Sequence, residues 1–455
     1  MASAARATPA AFDPTAVETF RFVSCELRPD GRATLRYALD ELPFEEQLEL
    51  PVTERLTSAQ LDGVQGLLSL LHWVAGVSYY KAALPARIVC ESEAPGPAAA
   101  RLLEALYCEG LGELAYTNGL PLPRPTFPRS ASGALPAPDA GASPQRVLVP
   151  VGGGKDSAVA IEVVRAAGVE LALFSVGDAP PISRTASAAE LGHLTAHRRL
   201  DPGLLALNER GALNGHVPVT AIVSCIALLT AALRGFDAVA MANERSASSP
   251  NLVWDGVEVN HQFSKSLHAE RLLKAASVEV GGGVSYFSVL RSASELAIAR
   301  AFARMERYHA AFTSCNAVFR IDPLVRTNSW CGDCPKCRFV FLVLAPFIAP
   351  ARMREMFGRD LLDDESQFEG FALLTATGGH KPFECVGEEQ ESLAAIRLLA
   401  EDERWRDHAV VRRLRDEVLS AARAGEGDPS QALALSADHD VPGALQAQVD
   451  ALLGA

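Results

Sequence analysis

Hydrophobic and polar residues alternate over the first part of the chain and then change to helical spacing. The alternation covers residues 20–22 and 33–39, on either side of Asp30-Gly31. Two runs of period two around an Asp-Gly turn predict a β-hairpin, and a third strand is expected near Phe44–Leu50. Hydrophobic residues then recur at helical spacing over Ser58–Trp73, which predicts a helix capped by its serine.

A segment without periodic hydrophobic residues divides the chain. Residues 118–146 are rich in Pro, Ala, Gly and Ser, which predicts a linker. It separates an N-terminal α+β domain, residues 1–117, from a nucleotide-binding domain, residues 147–350. Residues 351–455 are rich in Leu, Ala, Arg and Glu, which predicts a helical C-terminal region.

The segment after the linker alternates between short hydrophobic strands and helices. Such an order indicates a doubly wound parallel sheet with helices on both faces, and therefore the α/β class. Glycine follows two of the predicted helices and marks their ends. The predicted strands are Val147–Val151, Leu171–Val176 and Asp237–Met241, and the predicted helices are Ser157–Ala167, Val219–Leu233, Leu393–Leu399 and Val410–Ala422.

A glycine-rich loop joins the first of these strands to the first helix. It consists of Gly152, Gly153, Gly154, Lys155, Asp156 and Ser157. Glycines let backbone amides approach a phosphate, the serine can donate its hydroxyl, and the lysine can add positive charge. The spacing fits neither a Walker A loop nor the dinucleotide-binding GxGxxG motif. Ser175, near the end of the next strand, is a further candidate for the nucleotide site.

The loop resembles the SGGxDS signature of the PP-loop ATP pyrophosphatase superfamily, with Gly152 in place of the leading serine. The resemblance implies that the loop holds the β- and γ-phosphates of ATP while AMP is transferred and pyrophosphate is released. It also implies a PP-loop fold for residues 147–350. Mg²⁺ would neutralise the phosphates, and Asp156 would order the loop or reach that ion.

Four cysteines have the spacing C-x15-C-x2-C-x2-C: Cys315, Cys331, Cys334 and Cys337. Four thiolates leave no open coordination position, so this pattern predicts a structural Zn²⁺ site, with an iron–sulfur cluster as the alternative. Similar CGxCxxC knuckles follow the PP-loop in the 7-cyano-7-deazaguanine synthase branch of the superfamily. The resemblance to a PP-loop enzyme thus comes from two places in the chain.

Three polar stretches follow the glycine loop in the sequence. They are Asn214–Thr220, Asn243–Ala247 and Asn260–Ser266, and the second comes directly after a predicted strand. Ligands of a doubly wound sheet bind beyond the carboxyl ends of its strands. We therefore expect these stretches to line the active site. The candidate catalytic residues in them are His216, Glu244, Arg245, His261 and Lys265.

Together these stretches resemble the family of ATP-dependent UDP-N-acetylmuramoyl-L-alanyl-L-glutamate epimerases. The resemblance rests on GVSYYK, GGGKDS, MANERSAS, NHQFSKS and SWCGDCPKCRFVFLVLAPF, and it covers roughly residues 20–390. It implies conversion of the L-Glu of UDP-MurNAc-L-Ala-L-Glu to D-Glu through an acyl-adenylate, with release of AMP and pyrophosphate. His261 is the first candidate for the base, and Glu244 and His216 are the alternatives. Lys155 or Arg245 would stabilise charge at the α-phosphate.

The composition of the chain limits the partners and the cellular location that we expect for the protein. The net charge of −13 disfavours nucleic-acid binding, which needs a basic surface. No stretch reaches the roughly 18 apolar residues of a spanning helix, and no secretory signal is recognisable, so we expect no membrane association. Nine cysteines, four of them clustered, indicate a reducing compartment and hence the cytoplasm.

Two other functions are compatible with the same motifs. The first is a PP-loop synthetase that adenylates a nucleobase carboxylate or a tRNA, although the acidic composition disfavours the tRNA version. The second is a non-catalytic protein with a degenerate ATP site, for which the missing leading serine of the loop is the support.

Overall fold

The computed structural model describes residues 11–131, 143–320, 326–376 and 380–454. The strands are β1 Thr19–Leu27, β2 Arg32–Leu39, β3 Leu42–Glu49, β4 Arg87–Cys90, β5 Arg146–Pro150, β6 Glu170–Val176, β7 His193–Arg199, β8 Ala238–Met241, β9 Leu252–Trp254, β10 Val257–Val259 and β11 Ser285–Ser288. The α-helices are α1 Ser58–Ala75, α2 Val77–Tyr80, α3 Pro97–Cys108, α4 Gly112–Thr117, α5 Lys155–Ala166, α6 Pro180–Ala189, α7 Pro202–Asn208, α8 Val219–Arg234, α9 Leu267–Glu279, α10 Glu295–Ala303, α11 Pro335–Leu344, α12 Pro350–Phe357, α13 Phe368–Ala372, α14 Glu389–Glu401, α15 Ala409–Arg413, α16 Pro429–Leu433 and α17 Gly443–Leu453.

Nine strands of the described chain form one sheet, in the order β11-β8-β5-β6-β7-β3-β2-β1-β4. The strands from β11 to β7 are parallel to their neighbours, and those from β7 to β1 pair antiparallel. The predicted parallel sheet is therefore confirmed for β5, β6, β7, β8 and β11, and the N-terminal strands extend it into a mixed sheet. The hairpin around Asp30-Gly31 is confirmed as β1 and β2, and the third strand as β3.

The N-terminal strands continue the sheet that carries the glycine loop. β3 pairs with β7 through Gln47–Glu49 and His197–Arg199. At this seam the Arg198 guanidinium donates to both oxygens of the fully buried Glu46 carboxylate, at 2.7 and 2.9 Å. A buried, bidentate pair of this kind fixes geometry. The region 1–117 and the region after 146 thus share one sheet, and residues 132–142 of the predicted linker lie outside the described residues.

Hydrophobic cores cover both faces of the sheet, as predicted. Side chains of consecutive strand residues point to opposite faces. In β5, Val147 and Val149 belong to one core and Leu148 to the other. Helices α5, α10, α11 and α14 pack in the first core, and α1, α3, α8 and α9 in the second.

The helix predicted over Val219–Leu233 matches α8 within one residue, whereas α5 starts two residues before the predicted Ser157 and α15 ends at Arg413, well before the predicted Ala422. The start of α1 was predicted, but its cap residue was not. Its N-cap is Thr57 rather than Ser58, because Gln60 completes a capping box with the threonine. The predicted glycine ends are confirmed at Gly168 and Gly235, which both have positive φ. Among the described residues, no helix is long and apolar enough to cross a membrane.

Strand β5 occupies the point at which the strand order changes direction. From β5 the chain continues to β6 and β7 on one side, and β8 and β11 lie on the other. Ligands of open α/β sheets bind beyond the carboxyl ends of the strands at such a point. The glycine loop follows β5 and Asn243-Glu244 follow β8, so both lie at this position.

Candidate active site

The glycine loop has one packed side and one open side. Gly153 has a φ of +81°, and a Cβ there would lie 2.6 Å from the carbonyl carbon of Pro181, so the position requires glycine. A Cβ on Gly154 would lie 2.6 Å from the Ser314 hydroxyl, whereas a Cβ on Gly152 would meet nothing within 4 Å. The open side at Gly152 is therefore the one that a ligand can approach.

The loop is held by hydrogen bonds that leave donors for an anion. The Gly152 amide donates to Ser157 Oγ at 2.9 Å, and the Thr313 amide donates to the Gly153 carbonyl at 2.9 Å. A hydroxyl that accepts one bond still has its own hydrogen to donate. Gly154 is the N-cap of α5, and the first amides of a helix attract an anion. The loop thus presents amide and hydroxyl donors of the kind that bind anions.

Three carboxylates, which we call the carboxylate trio, meet beside the loop: Asp156, Glu244 and Glu295. Their oxygens lie within 4.8 Å of one another. The Lys155 ammonium is 1% exposed and is ion-paired with Asp156 and Glu295. The predicted loop lysine therefore pairs with two of the three carboxylates and does not extend into solvent.

Burial and charge act differently on two members of the trio. Burial, together with the negative charge of Glu295, raises the pKa of Glu244. Burial opposes ionisation of Glu295 too, but Lys155 and Lys336 bring the pKa of Glu295 below its ordinary value. The Lys336 ammonium lies 3.6 Å from a Glu295 oxygen. Glu295 thus stays ionised, and Glu244 is the member that is easier to protonate.

Five side chains from four segments form a second group, which we call the proton-transfer cluster: Glu113, His216, His261, Lys265 and Cys385. His261 Nδ1 is hydrogen-bonded to the Glu113 carboxylate, and the rings of His216 and His261 have centroids 4.3 Å apart. One carboxylate and two imidazoles are donor types of metal sites and also groups that exchange protons. The Lys265 ammonium lies 3.5 Å from Cys385 Sγ.

The two histidines of the cluster have opposite protonation tendencies. Burial would lower the pKa of His261, but hydrogen bonds with Cys385 and Glu113 raise it to about 9. Burial, with repulsion from His261 and Lys265, lowers the pKa of His216 to about 3. At neutral pH His261 therefore carries a proton and a positive charge, and His216 is neutral.

The thiol of Cys385 is held next to these positive charges. Burial would raise its pKa, but Lys265 and the hydrogen bond with His261 lower the pKa of Cys385 to about 6. Lys336 donates to the Cys385 carbonyl oxygen and also faces Glu295. The cluster is thus joined to the carboxylate trio, and through it to the glycine loop.

Arg291 is a buried residue that holds two of the active-site segments together. Its guanidinium is 1% exposed and pairs with Glu270 at 2.8 Å. It also donates to the backbone carbonyls of Glu244 and Lys265, both at 2.6 Å. One rigid, buried group therefore sets the distance between the segment after β8 and the segment before α9.

The four predicted ligands Cys315, Cys331, Cys334 and Cys337 meet in space. Their sulfurs lie within 4.8 Å of one another, and Cys331 Sγ is 3.7 Å from Cys337 Sγ. Four thiolates around Zn²⁺ at about 2.3 Å place sulfurs about 3.8 Å apart. The donor set and its spacing thus fit a tetrahedral zinc ion. Thr313 and Ser314, which contact the glycine loop, lead directly into Cys315, so the knuckle supports the loop.

Two predicted site residues are engaged elsewhere. Ser175 Oγ is 2.7 Å from the Gly177 carbonyl oxygen and 2.9 Å from His193 Nε2. The Arg245 guanidinium donates to the carbonyl oxygen of Ala434 at 3.0 Å, in the C-terminal region. In this structure neither side chain is part of the trio or of the cluster.

Four residues of the site were not identified in the sequence: Glu113, Glu295, Lys336 and Cys385. A usable signal existed for Glu295, which opens a helix soon after β11 and thus near the carboxyl edge of the sheet. Lys336 lies between two cysteines of the knuckle. The metal-binding pattern accounted for that segment, so the lysine was not considered as a site residue. Glu113 and Cys385 carry no local motif.

Comparisons with known proteins identify the family of the chain. The family model described as the MurL N-terminal domain matches residues 11–289, and the MurL C-terminal domain model matches residues 311–428. The boundary between the two matches, from residue 289 to residue 311, lies inside the region 147–350. The division of the chain at 118–146 stays a prediction. No solved structure matches the chain.

Three curated relatives share the name UDP-N-acetyl-alpha-D-muramoyl-L-alanyl-L-glutamate epimerase. The protein from Micromonospora sp. is 49% identical over 411 residues, which are 89% of this chain and 91% of the relative. The protein from Salinispora tropica is 47% identical over 399 residues, or 86% and 87% of the two chains. The protein from Xanthomonas oryzae pv. oryzae is 43% identical over 446 residues, or 97% and 99%.

Proposed function

The chain belongs to the MurL family, and we propose that it epimerises the terminal L-Glu of UDP-MurNAc-L-Ala-L-Glu to D-Glu at the expense of ATP. The reaction makes the protein an isomerase of peptidoglycan precursor synthesis. The dependence on ATP is supported by one observation. The glycine loop, the carboxylate trio and the proton-transfer cluster lie next to one another at the same edge of the sheet. The family name favours this function over a nucleobase or tRNA synthetase.

Activation of the substrate explains why an epimerase contains an anion-binding loop. The Cα proton next to a carboxylate is very weakly acidic, because its removal puts a second negative charge on the same group. Adenylation removes the first charge and lets the carbonyl accept the electrons. We assign the phosphates to Gly152, Gly153, Gly154 and Ser157, with pyrophosphate as the leaving group and hydrolysis of the adenylate as the step that makes the sequence irreversible.

Mg²⁺ fits the carboxylate trio, because carboxylate oxygens are the ligands that it prefers. Asp156, Glu244 and Glu295 would hold it beside the glycine loop, where its charge would offset that of the phosphates. Lys155 and Lys336 both lie against Glu295 and keep that carboxylate ionised. Zn²⁺ fits the four cysteines, and in that position its role is to stabilise the segment that contacts the loop.

The proton-transfer cluster supplies the chemistry at Cα. His261, oriented by Glu113, holds a proton at neutral pH and can donate it. This differs from the expectation that His261 is the base, because its hydrogen bonds favour the charged form. His216 stacks on His261, and Lys265 places positive charge in the same group. A cytoplasmic location stays a prediction.

The test is a parallel assay of the purified protein with ATP and Mg²⁺. The compounds offered are UDP-MurNAc-L-Ala-L-Glu, its D-Glu epimer and 7-carboxy-7-deazaguanine, and the readouts are pyrophosphate release and D-Glu recovered after acid hydrolysis. We expect both products with the L-Glu compound. Release with the deazaguanine acid alone would assign the protein to the nucleobase branch, and D-Glu formation without ATP would remove the adenylate step.

A further inference from the structure

We propose that a group of aromatic side chains beside the proton-transfer cluster is the subsite for the N-acetylmuramoyl ring of the substrate. This aromatic group consists of Tyr116, Trp254, His380 and Phe383. The proposal rests on the epimerase function proposed above and names the part of the protein that binds the sugar. The four residues come from three segments, which meet only in the folded chain.

Tyr116 is the centre of the aromatic group. Its ring centroid lies 5.2 Å from that of Trp254, 5.4 Å from that of Phe383 and 5.9 Å from that of His380. The ring planes of Tyr116 and Trp254 are nearly perpendicular, at 86°, which is a favourable arrangement for aromatic pairs. Tyr116, Trp254 and Phe383 are half-buried, and His380 is exposed. The rings thus hold one another and still face solvent.

The aromatic group continues directly from the proton-transfer cluster. Tyr116 follows Glu113 by three residues in α4, and residues at this spacing share one face of a helix. Glu113 is the residue that is hydrogen-bonded to His261. On the other side, Phe383 lies two residues before Cys385 of the same cluster. A substrate whose terminal residue reaches the cluster would therefore pass over these rings.

Hydrogen bonds hold the segments that carry the rings. Trp254 Nε1 donates to the carbonyl oxygen of Leu120 at 2.9 Å. The Asn251 side-chain amide donates to the carbonyl oxygen of Pro382 at 2.9 Å, next to Phe383. The rings are thus positioned before a ligand binds, and a preformed surface loses less conformational entropy on binding.

The chemistry of aromatic rings favours a sugar at this position. The C–H groups of a pyranose ring carry a small positive charge, and the face of an aromatic ring is negative. Sites for small ligands are typically lined by aromatic side chains and a few polar groups. In the substrate the N-acetylmuramoyl ring is joined to the dipeptide, whereas the uracil lies beyond the diphosphate. The sugar is therefore the first ring of the substrate to meet the aromatic group.

A positive charge lies next to the aromatic group. The Arg124 guanidinium is 3.8 Å from a carboxylate oxygen of Asp255, the residue after Trp254, and its side chain is 68% exposed. In the substrate the diphosphate is attached directly to the sugar. The protein thus presents acid–base residues, aromatic rings and a cation in the order in which the substrate presents dipeptide, sugar and diphosphate.

The test compares the wild-type enzyme with Trp254→Leu and Phe383→Leu, which remove a ring and keep an apolar side chain. Phe347→Leu is the matched control, because Phe347 is a half-buried phenylalanine in the turn after α11. The readouts are kcat and KM for UDP-MurNAc-L-Ala-L-Glu and the inhibition constants of MurNAc-L-Ala-L-Glu and of UDP.

We expect both ring variants to bind sugar-containing compounds less tightly. KM and the inhibition constant of MurNAc-L-Ala-L-Glu should rise by about 3–10-fold, because the contact of one aromatic face is lost. The value of kcat should stay within about twofold of wild type, since the contact is the same in the ground state and the transition state. The inhibition constant of UDP should not change, and Phe347→Leu should behave as wild type.

Other results would overturn the proposal. A KM that stays at the wild-type value in both folded variants would exclude the aromatic group from the substrate site. A higher inhibition constant for UDP, without a change for MurNAc-L-Ala-L-Glu, would assign the rings to uracil. Loss of kcat alone would assign them to the structure of the cluster. Absence of D-Glu formation by the wild-type enzyme would instead refute the proposed function itself.

A measurement on the wild-type protein covers the case in which the ring variants do not fold. Trp254 and Trp330 are both half-buried, but Trp330 packs beside the cysteine knuckle. We expect MurNAc-L-Ala-L-Glu to protect Trp254, and not Trp330, from oxidation by hydroxyl radicals, as read by peptide mass mapping. UDP alone should protect neither residue. Equal oxidation of Trp254 with and without MurNAc-L-Ala-L-Glu would contradict the proposal.

Discussion

The glycine loop and the proton-transfer cluster lie at the same sheet edge but are built in different ways. The loop is six consecutive residues whose function depends on backbone shape, since Gly153 needs a positive φ and close contact with Pro181. The cluster consists of five side chains from four segments, since His261 and Lys265 share one, and its proposed function depends on which of them hold protons. One region is thus defined by geometry and the other by charge.

The difference predicts that the two regions fail in different ways. Damage to the loop should stop activation, and with it every later step. Damage to the cluster should leave activation intact and stop inversion alone. Lys336 and Arg291, which link the two regions, keep them at a fixed distance. The following changes test this separation, from the largest expected effect to the smallest.

The first change removes proton exchange from the cluster and keeps its hydrogen bond. Gln at position 261 can still donate to Glu113 but cannot titrate, so His261→Gln should lower D-Glu formation by about 10²–10⁴-fold. Pyrophosphate release should stay near the wild-type rate. His197→Gln, on the exposed part of β7, is the control. Equal loss of both products in His261→Gln would show that the two regions are not separable.

The second change acts on the loop. Ser157→Ala removes the hydroxyl that accepts from the Gly152 amide and faces the anion site. We expect pyrophosphate release and D-Glu formation to fall together, by about 10²–10³-fold, as for loss of one preorganised donor. Ser420→Ala is the matched control, because this exposed serine lies in the C-terminal region and its hydroxyl donates only to the backbone carbonyl of Asp416. Retained pyrophosphate release in Ser157→Ala would remove this loop from the activation step.

The third test uses pH to distinguish the regions in the unmodified protein. His261 can donate a proton only while it is protonated, so D-Glu formation should fall as pH increases through about 9, the pKa of His261. The fall should approach tenfold per pH unit. Pyrophosphate release measured in parallel should lack this fall.

The smallest effect is expected at the open side of the loop. Gly152→Ser places the hydroxyl of the superfamily signature where nothing lies within 4 Å, so the free energy of unfolding should change by no more than about 0.5 kcal/mol. Gly153→Ala forces a side chain into a left-handed conformation against Pro181 and should cost more than about 1 kcal/mol. Thermal unfolding of both variants checks this. Equal losses would mean that the loop has no open side.

Several features of the fold were predictable because they depend on short stretches of sequence. The hairpin around Asp30-Gly31, the helix from Lys155 and the helix that ends before Gly235 follow from local periodicity and turn residues. The cysteine knuckle was predictable because two CxxC steps bring thiolates together in any fold. The pairing of β3 with β7, which joins the N-terminal strands to the main sheet, depends on contacts between distant residues and was not predicted.

The sequence by itself determined the loop, the knuckle and the family resemblance, because in each case the chemistry lies within a short run of residues. Only the tertiary structure decided where Lys155 points, that His261 holds a proton, and that Cys385 joins Glu113 in one cluster. The physical reason is that a protonation state depends on burial and on neighbouring charges. Those neighbours are 148 residues away for His261 and Glu113, and 120 for Lys265 and Cys385, so folding alone brings them together.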